Sequence, residues 1–240
     1  MSNLYVIGIG PGDPELLTLK AVRVIKEVPV LFVPKGREDG ESLALSIVNK
    51  AIDLKGKEIR ELHFPMVKTR DQSSKDQIAR RWDALSQELI NVLKDRDAAF
   101  LTLGDPCLYS TFFYLYERLN QVPQLKIEII PGVSSINASA ARAGIYLGLA
   151  NERIAIVPAN YEGFSDSIID DFDTIVFMKV NRAWQRLKDF LDKHGLLKNS
   201  IYISRAGMED ERMIRDIDLV KEEDLNYFSI VITTTRLKRE

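Results

Sequence analysis

The sequence predicts an α/β protein built from two domains. Short apolar runs suited to buried strands alternate with segments of helical periodicity along the 240 residues, a pattern typical of α/β folds. A polar stretch that contains a proline lies near the middle of the chain, at residues 120–124, where few contacts need to cross between domains. We therefore expect an N-terminal α/β domain over residues 1–120 and a C-terminal α/β domain over residues 121–240.

The expected strands are apolar runs bounded by turn residues. They cover residues 4–7, 30–33, 59–64, 98–103, 127–130, 154–157, 174–178, 200–204, 212–217 and 227–233. Several of these runs, such as residues 4–7, are apolar without alternation, which predicts strands that are buried on both faces.

The clearest expected helix covers residues 75–94, where apolar side chains recur every three or four positions and form one stripe. Another helix is expected from Leu16 to Ile25, with Asp13 as its N-cap and Pro14 in its first turn. The remaining expected helices cover residues 42–50, 112–119, 138–143 and 183–193, the last of which ends at His194-Gly195.

Composition excludes several classes of function. The 33 basic and 35 acidic residues nearly cancel, so no overall positive field for nucleic acid is expected. The single cysteine, Cys107, excludes an intramolecular disulfide and a cysteine cluster for zinc, and two histidines leave no histidine-rich metal site. The N-terminal apolar run is too short for a signal peptide or a membrane span. We therefore expect a cytoplasmic protein with no resident metal, no nucleic-acid partner and no membrane partner.

A glycine-rich loop at Gly8-Ile9-Gly10-Pro11-Gly12-Asp13 follows the first apolar run. Its spacing departs from the dinucleotide-binding pattern G-x-G-x-x-G, because the third glycine comes one residue early and Pro11 removes a backbone donor. Glycines at such a turn allow positive φ and let another molecule approach the backbone. From its residues alone, the loop is either a ligand-binding turn or a tight connection.

Two further turns follow apolar strands, at Gly104-Asp105-Pro106 and at Pro131-Gly132-Val133-Ser134-Ser135. In open α/β sheets, ligands bind outside the carboxyl ends of the strands. Together with the first loop, these turns predict a shared small-molecule site. Ordinary connection chemistry is the alternative, with Asp105 and the two serines acting only as helix caps.

Few side chains suggest covalent or acid–base chemistry. No histidine lies near Cys107 in the sequence to activate its thiol, so we expect a small buried residue there rather than a nucleophile. His194 is expected to be structural at a helix C-terminus, whereas His63 at a strand end could face a cleft. Met178 ends a strand and would by default belong to the core. No catalytic triad, Walker loop or paired metal-ligand spacing is present.

With these three turns in order, the sequence resembles the class III S-adenosylmethionine methyltransferases known as tetrapyrrole methylases. The resemblance covers essentially the whole chain and rests on residues 6–14, 101–106 and 130–135. Phe32-Val33-Pro34-Lys35-Gly36, His63-Phe64-Pro65-Met66 and Asp105 to Thr111 resemble the branch that methylates C(20) of precorrin-2 or cobalt-factor II in cobalamin biosynthesis. The family's second motif usually begins Gly-Gly-Asp-Pro, and here Leu103 replaces the first glycine.

The resemblance implies two α/β domains with the active-site trough between them, a homodimer, a tetrapyrrole substrate, and S-adenosylmethionine as the cofactor, released as S-adenosylhomocysteine. By motif position, the cofactor contacts would be Pro11, Leu103, Gly104, Asp105, Leu108, Ser134, Ser135, Met178, Ala206 and Thr233 or Thr234. The residues expected to line the substrate are Gly10, Gly12, Asp13, Lys35 and His63.

Methyl transfer from a sulfonium needs alignment and desolvation rather than a covalent nucleophile, which suits a chain without a triad. The substrate carbon loses a proton after attack, and Asp105 is our candidate for the base, or for a residue that orients the macrocycle. The eight carboxylates of the substrate require cations. The candidates in the first half are Lys35, Arg37, Lys68 and Arg70.

Overall fold

The computed structural model describes residues 2–35, 42–64, 72–160 and 164–235. The chain divides into two compact units, Met1–Ser134 and Ser135–Glu240. The boundary therefore lies after the expected position at residues 120–121. The physical reason is that the strand at Lys126–Ile130 pairs with the first strand of the chain and completes the first sheet.

The first unit contains a five-stranded parallel sheet with strand order β3-β2-β4-β1-β5. Its strands are β1 (Asn3–Gly8), β2 (Val30–Lys35), β3 (Glu58–His63), β4 (Ala98–Thr102) and β5 (Lys126–Ile130). Its helices are α1 (Leu19–Glu27), α2 (Leu43–Ala51), α3 (Gln72–Val92) and α4 (Phe113–Asn120).

The order of the strands creates a switch point between β1 and β4. The connection from β1 leads to β2 on one side of this pair, and the connection from β4 leads to β5 on the other side. In open parallel sheets, ligands bind at the carboxyl ends of two strands whose connections diverge in this way. The loops after β1 and β4, which carry two of the predicted motifs, both start at this point.

Apolar side chains cover both faces of the first sheet. On one face, α1 and α2 pack through residues such as Ile25 and Val48 against Ile7, Leu31 and Leu101. On the other face lie α3 and α4, whose buried stripe of Leu85, Leu89, Val92, Leu115 and Leu119 packs against Val6, Phe32 and Phe100. This arrangement confirms the expectation that the continuous apolar runs, here β1, β2 and β4, are buried on both faces, whereas the outer strands β3 and β5 keep exposed residues.

The start of α1 differs from the sequence expectation. Asp13 accepts a hydrogen bond from the Glu15 amide at 2.9 Å and caps a single 3₁₀ turn, Pro14–Leu16. The helix begins only at Leu19, where the Thr18 hydroxyl accepts a bond from the Ala21 amide at 3.1 Å. Both residues are good N-caps, so the local pattern alone does not select the one that starts the longer helix.

The second unit contains a mixed sheet with strand order β6-β7-β10-β8-β9. Its strands are β6 (Ile154–Pro158), β7 (Thr174–Met178), β8 (Ser200–Ser204), β9 (Arg212–Ile214) and β10 (Ser229–Thr234). Its helices are α5 (Ser135–Ala143), α6 (Ser167–Asp171) and α7 (Trp184–Lys193). The strands β6, β7 and β8 run in one direction, and β10 and β9 run in the opposite direction.

The core of the second unit lies on one face of this sheet, where Leu187 and Phe190 of α7 pack against Phe177, Tyr202 and Val231. The short helix α6 was not expected, because residues 167–171 carry too few apolar positions to show a period. β9 ends three residues earlier than expected, since Asp216 caps a 3₁₀ turn at Ile217–Leu219. Among the described residues, no helix combines the length and apolar character needed to cross a bilayer.

Candidate functional site

Three glycines hold together the turns that follow β1, β4 and β5. A Cβ on Gly8 would lie 2.6 Å from the Gly132 nitrogen and 2.7 Å from the Gly104 oxygen. A Cβ on Gly132 would lie 2.4 Å from the same Gly104 oxygen. Real Cβ atoms do not approach backbone so closely, so only glycine lets these turns meet. We call Gly8, Gly104, Gly132 and the neighbouring Asp105 the glycine junction.

Backbone hydrogen bonds close the junction across the switch point. The Gly104 amide donates to the Gly10 oxygen at 2.8 Å, and the Gly10 amide donates to the Gly104 oxygen at 3.3 Å. Both residues have positive φ, +78° at Gly10 and +67° at Gly104, a conformation that L side chains rarely adopt. The glycine at position 10 is therefore required by the backbone itself, before any ligand is considered.

Asp105 joins two of the turns through its carboxylate. Its Oδ1 accepts a hydrogen bond from the Cys107 amide at 2.8 Å, and its Oδ2 accepts one from the Gly132 amide at 3.0 Å. Each carboxylate oxygen thus accepts a hydrogen bond from a backbone N–H. The side chain acts as a clamp within the junction, which favours an orienting role over that of a proton acceptor.

The other predicted cofactor and substrate residues of the first unit include several that lie close to the junction residues in the sequence. Pro11 and Gly12 are buried, whereas Leu103, Leu108 and Ser134 keep part of their surface exposed. Next to Leu108, Tyr109 has φ +57° and is 46% exposed. A non-glycine residue in this region is strained and persists only where its surroundings hold it. Such strain clusters at ligand-binding loops, and it supports a functional role for this loop.

Lys35 and His63 lie side by side at the carboxyl ends of β2 and β3. The Lys35 ammonium is ion-paired with Glu61 at 2.9 Å and is only 17% exposed, so its charge is already compensated. The Nδ1 atom of His63 is buried and has no hydrogen-bond partner among the residues that the structure describes, a state that costs free energy until a partner arrives. Of Lys35 and His63, the structure thus favours His63 as a substrate contact. The other predicted cations, Arg37, Lys68 and Arg70, lie outside the described residues.

Met178 and Ala206 lie at the same edge of the second sheet. Met178 ends β7 beside Ile230 at the start of β10. Ala206 follows β8, whose last residue, Ser204, pairs with Ser229 of the same β10. Met178 is half-buried and Ala206 is buried. Met178 and Ala206, the two predicted cofactor contacts from distant parts of the sequence, therefore lie at the same edge of the second sheet.

Thr233 lies towards the opposite end of this sheet. It pairs with Ile175 rather than with Met178, its side chain is fully buried, and its hydroxyl bonds the Ser200 hydroxyl at 2.7 Å. Thr234 pairs with Thr174, still further from Met178. The structure therefore does not bring Thr233 or Thr234 beside Met178. The β10 residue beside Met178 is Ile230, which no sequence signal distinguishes from other strand residues.

The two residues expected to be structural differ in their surroundings. His194 follows α7, and its Nε2 atom lies 3.0 Å from Asp166 Oδ1 while its ring contacts Phe190. These contacts support the structural role expected for it. The expectation of a buried residue at Cys107 is wrong, because Cys107 is exposed in the turn after Asp105, where its amide donates to the Asp105 carboxylate.

The geometry and the comparisons place the protein in one class. The chain belongs to the Tetrapyrrole (Corrin/Porphyrin) Methylases, whose family model matches residues 3–217. It is 33% identical over 240 residues to the probable cobalt-precorrin-2 C(20)-methyltransferase of Methanocaldococcus jannaschii, covering 100% of this chain and 98% of the relative. It is 34% identical over 233 residues to the cobalt-precorrin-2 C(20)-methyltransferase of Salmonella typhimurium, covering 96% and 95% of the two chains.

Solved structures share the fold at lower identity. A cobalt precorrin-4 methyltransferase is 17% identical with a TM-score of 0.75, and the match covers 98% of this chain and 95% of that one. A uroporphyrin-III C-methyltransferase from Thermus thermophilus, solved in complex with S-adenosylhomocysteine, is 21% identical with a TM-score of 0.62 over the full length of both chains. These likenesses establish the α/β methylase fold for both units.

The donor set of the first unit fits a sulfonium cofactor. The turn at Leu103, Gly104 and Asp105 offers backbone carbonyl oxygens and one carboxylate, and no cationic side chain belongs to it. Oxygen dipoles and a carboxylate stabilise a positive sulfonium, and none of these groups competes for its methyl group. The chemistry of the residues present is therefore compatible with S-adenosylmethionine.

Proposed function

We propose that this protein transfers the methyl group of S-adenosylmethionine to C(20) of precorrin-2 or cobalt-factor II in cobalamin biosynthesis. The observation that carries the proposal is the glycine junction. It brings all three motifs shared with the family to the switch point of the first sheet. The full-length similarity to two C(20)-methyltransferases supports the choice of carbon.

The proposed cofactor contacts form one set in each unit. In the first unit they are Pro11, Leu103, Gly104, Asp105, Leu108 and Ser134, and in the second unit they are Ser135, Met178 and Ala206. A neutral thioether such as Met178 can pack beside the adenosine without competing for charge. The proposed substrate residues are Gly10, Gly12, Asp13, Lys35 and His63.

When bound, S-adenosylmethionine supplies an electrophilic methyl group. The protein residues contribute alignment and exclusion of water, which are the chief requirements of an in-line displacement. The close-packed turns of the glycine junction would hold the backbone around Leu103, Gly104 and Asp105 in place for the cofactor. Asp105 holds these turns through its two amide contacts, and we assign it this orienting role.

In the test, the purified protein is incubated with precorrin-2 or cobalt-factor II and with S-adenosylmethionine labelled in its methyl carbon. The proposal expects one new methyl group, located at C(20) by NMR. A methyl group at another macrocycle carbon would support another activity of the same fold. Labelling of a protein side chain in place of the macrocycle would also support another activity of the same fold. Cofactor binding without any product would indicate a binding module.

The metal state of the substrate is part of the same experiment. Two relatives of 33% and 34% identity, which cover 100% and 96% of this chain, are named for cobalt-precorrin-2, which favours the cobalt-loaded macrocycle. We expect higher turnover on cobalt-factor II than on metal-free precorrin-2. Higher turnover on metal-free precorrin-2 would instead assign the protein to the route in which cobalt is inserted late.

We also propose that the protein is a cytoplasmic homodimer. The exposed thiol of Cys107 suits a reducing compartment. Light scattering at several protein concentrations tests the dimer, with a mass of twice 27.3 kDa expected.

A further inference from the structure

A turn after β8 carries one of the proposed cofactor contacts of the second unit. β8 ends at Ser204, and the buried Ala206 lies two residues further on. The Met208 amide donates to the Arg205 oxygen at 2.9 Å. This bond closes a four-residue turn that has Ala206 and Gly207 at its centre. We call residues 205–208 the β8 turn.

The side chain and the backbone of Glu211 both hold the β8 turn. The Oε2 atom of Glu211 accepts a hydrogen bond from the Gly207 amide at 2.7 Å. The Glu211 amide donates to the Met208 oxygen at 3.1 Å. Because the Glu211 side chain is only 22% exposed, its charge-assisted bond to Gly207 is stronger than a bond in full solvent. Glu211 therefore fixes the amide that directly follows Ala206.

The same carboxylate oxygen also binds a helix. Glu211 Oε2 is ion-paired with the Nε atom of Arg142 at 3.1 Å. Arg142 belongs to the last turn of α5, where the helix dipole favours a cation. A second contact lies beside it, since the Arg215 guanidinium donates to the Ala143 oxygen at 2.7 Å. The C-terminal end of α5 is thus attached to the segments that follow β8 and β9.

The helix α5 carries another proposed cofactor contact at its other end. It begins at Ser135, directly after the turn with the third motif, and has nine residues. It contacts β10, and its buried Ala138, Ser139 and Ala140 have the small side chains that permit close packing. A packed helix transmits a displacement along its length. A contact at its C-terminal end therefore also restricts the position of Ser135.

We propose that Glu211 is a positioning residue for the cofactor, because one of its oxygen atoms joins the β8 turn to α5. This inference rests on the proposed function and adds a residue to it. Glu211 acts through Ala206 and Ser135, which are the assigned contacts, and has no assigned contact of its own with the cofactor. Loss of Glu211 should weaken cofactor binding and leave the methyl-transfer step unchanged.

The experiment measures the affinity for S-adenosylhomocysteine by calorimetry in three variants. Glu211→Ala removes both side-chain contacts, and we expect about 10-fold weaker binding, the effect of one lost charge-assisted hydrogen bond. Glu211→Gln keeps an oxygen that can accept from the Gly207 amide but loses the charge that pairs with Arg142. Arg142→Met removes the same ion pair from the other side. We expect roughly threefold weaker binding in each of the latter two, as for a partly exposed ion pair.

A double variant tests whether the two contacts act together. When Glu211→Ala and Arg142→Met are combined, binding should stay at about 10-fold below native, because Arg142 has already lost its partner. Independent effects would multiply to roughly 30-fold, and this result would overturn the link through Glu211.

Kinetics on the macrocycle separate positioning from chemistry. In Glu211→Ala, the KM for S-adenosylmethionine should rise by about the same factor as the loss of affinity, while kcat at saturating cofactor stays within about twofold of native. A fall in kcat with native affinity for S-adenosylhomocysteine would overturn the positioning role.

Asp218→Ala is the matched control in the same unit. Asp218 is ion-paired with Lys188 of α7 at 2.8 Å, and neither residue belongs to the β8 turn or to α5. Urea unfolding gives the stability of each variant, and affinities are measured where every variant is folded. Asp218→Ala should bind S-adenosylhomocysteine within about twofold of native. The same result in Glu211→Ala, with only its stability lowered, would show a merely structural role and overturn the proposal.

Failure of the proposed function gives a different pattern of results. A native protein that binds S-adenosylhomocysteine but methylates no macrocycle would refute the activity, and the affinities of the Glu211 variants would still decide the positioning role. A native protein that does not bind S-adenosylhomocysteine would refute both proposals. Native affinity in Glu211→Ala, with methylation of the macrocycle intact, would refute the positioning role alone.

Discussion

Gly8 and Gly132 illustrate how single residues define this site. Their missing Cβ atoms allow three turns to touch, with less than 3.0 Å available to any added carbon. From the sequence, both residues are expected in turns that either line a small-molecule site or serve as ordinary connections. The structure adds that the first requirement on them is contact between the turns themselves.

We predict that Gly132→Ala destabilises the first unit by about 1–3 kcal/mol or more, because the new Cβ meets backbone atoms that cannot rotate away. Urea unfolding followed by tryptophan fluorescence measures this effect. In a Trp184→Phe background, Trp82 of α3 is the remaining tryptophan, so the signal reports on the first unit. The variant should also lose affinity for S-adenosylhomocysteine.

Gly195→Ala is the matched control for this prediction. Its φ is +63° and nothing lies within 4 Å of an added Cβ, so only the left-handed strain of about 1–2 kcal/mol is expected. Gly195 belongs to the second unit, and its replacement should not change the Trp82 transition. Equal effects of the two variants on Trp82 would contradict the close contact at the junction.

Asp105 yields a second prediction at the residue scale. In Asp105→Asn the side-chain amide places an NH₂ group against one of the two backbone N–H donors, so one of these donors loses its acceptor. We expect a loss of about 1–3 kcal/mol in the free energy of unfolding, together with weaker binding of S-adenosylhomocysteine. Calorimetry and urea unfolding measure both effects.

A purely catalytic Asp105 would behave differently. Turnover would fall in Asp105→Asn while stability and cofactor affinity stayed native. The control is Asp95→Asn, at an exposed position, where a change within about 0.5 kcal/mol is expected.

At the scale of elements, the start of α1 is the clearest departure from the sequence pattern. Thr18 caps a nine-residue helix, whereas Asp13 caps a 3₁₀ turn of three residues. We predict that Thr18→Ala lowers the free energy of unfolding by about 1 kcal/mol and that Asp13→Ala has a smaller effect. The Trp82 signal in urea measures both, and the reverse order would show that Asp13 is the effective cap.

Most elements could be predicted from the sequence because their apolar pattern is strong. The apolar stripe of α3 predicts a helix, and the continuous apolar runs of β1 and β4 predict buried strands. The elements that differed have weak local signals. α6 is short, β9 is exposed, and the first turn offers two good caps within six residues.

The candidate site could be predicted only in part for a related reason. Motif residues such as Gly104 and Asp105 lie in turns whose composition identifies them. The position of Thr233 depends on strand register, and a shift along β10 changes which residue stands beside Met178. Register is set by pairing between distant segments, and one sequence does not show it.

At the scale of the whole molecule, several acidic groups make the free energy of unfolding depend on pH. The Arg96 and Arg60 guanidinium groups hold the pKa of Glu58 below its usual value. Hydrogen bonds from Lys193 and His194 lower the pKa of Asp166 in the same way. The Lys221 amide and Arg212 lower the pKa of Asp224, whose side chain is only 4% exposed.

We therefore predict that the protein loses stability in acid. Each folded-state pKa lies below its unfolded value of about 4, so the unfolded chain binds more protons as the pH falls. The stabilisation is present above the unfolded pKa and is lost as the pH falls from about 5 towards the folded values. Thermal unfolding midpoints between pH 7 and pH 3 measure this dependence.

Asp224→Asn provides the control for the acid prediction. It should be less stable than the native protein at pH 7 and should show a shallower loss in acid, because one linked proton is removed. A native midpoint that stays constant from pH 5 to pH 3 would contradict the prediction.

The glycine junction also has a consequence for how the chain folds during translation. Asp105 finds its partner amide 27 residues later, at Gly132, and translation at 5–20 residues per second separates the two by roughly 1–5 s. A nascent chain can pair β1 with β4 before β5 is synthesised, but its first two turns then lack the third. The synthesis of β5 and of the turn after it is thus the step that completes the glycine junction in a growing polypeptide.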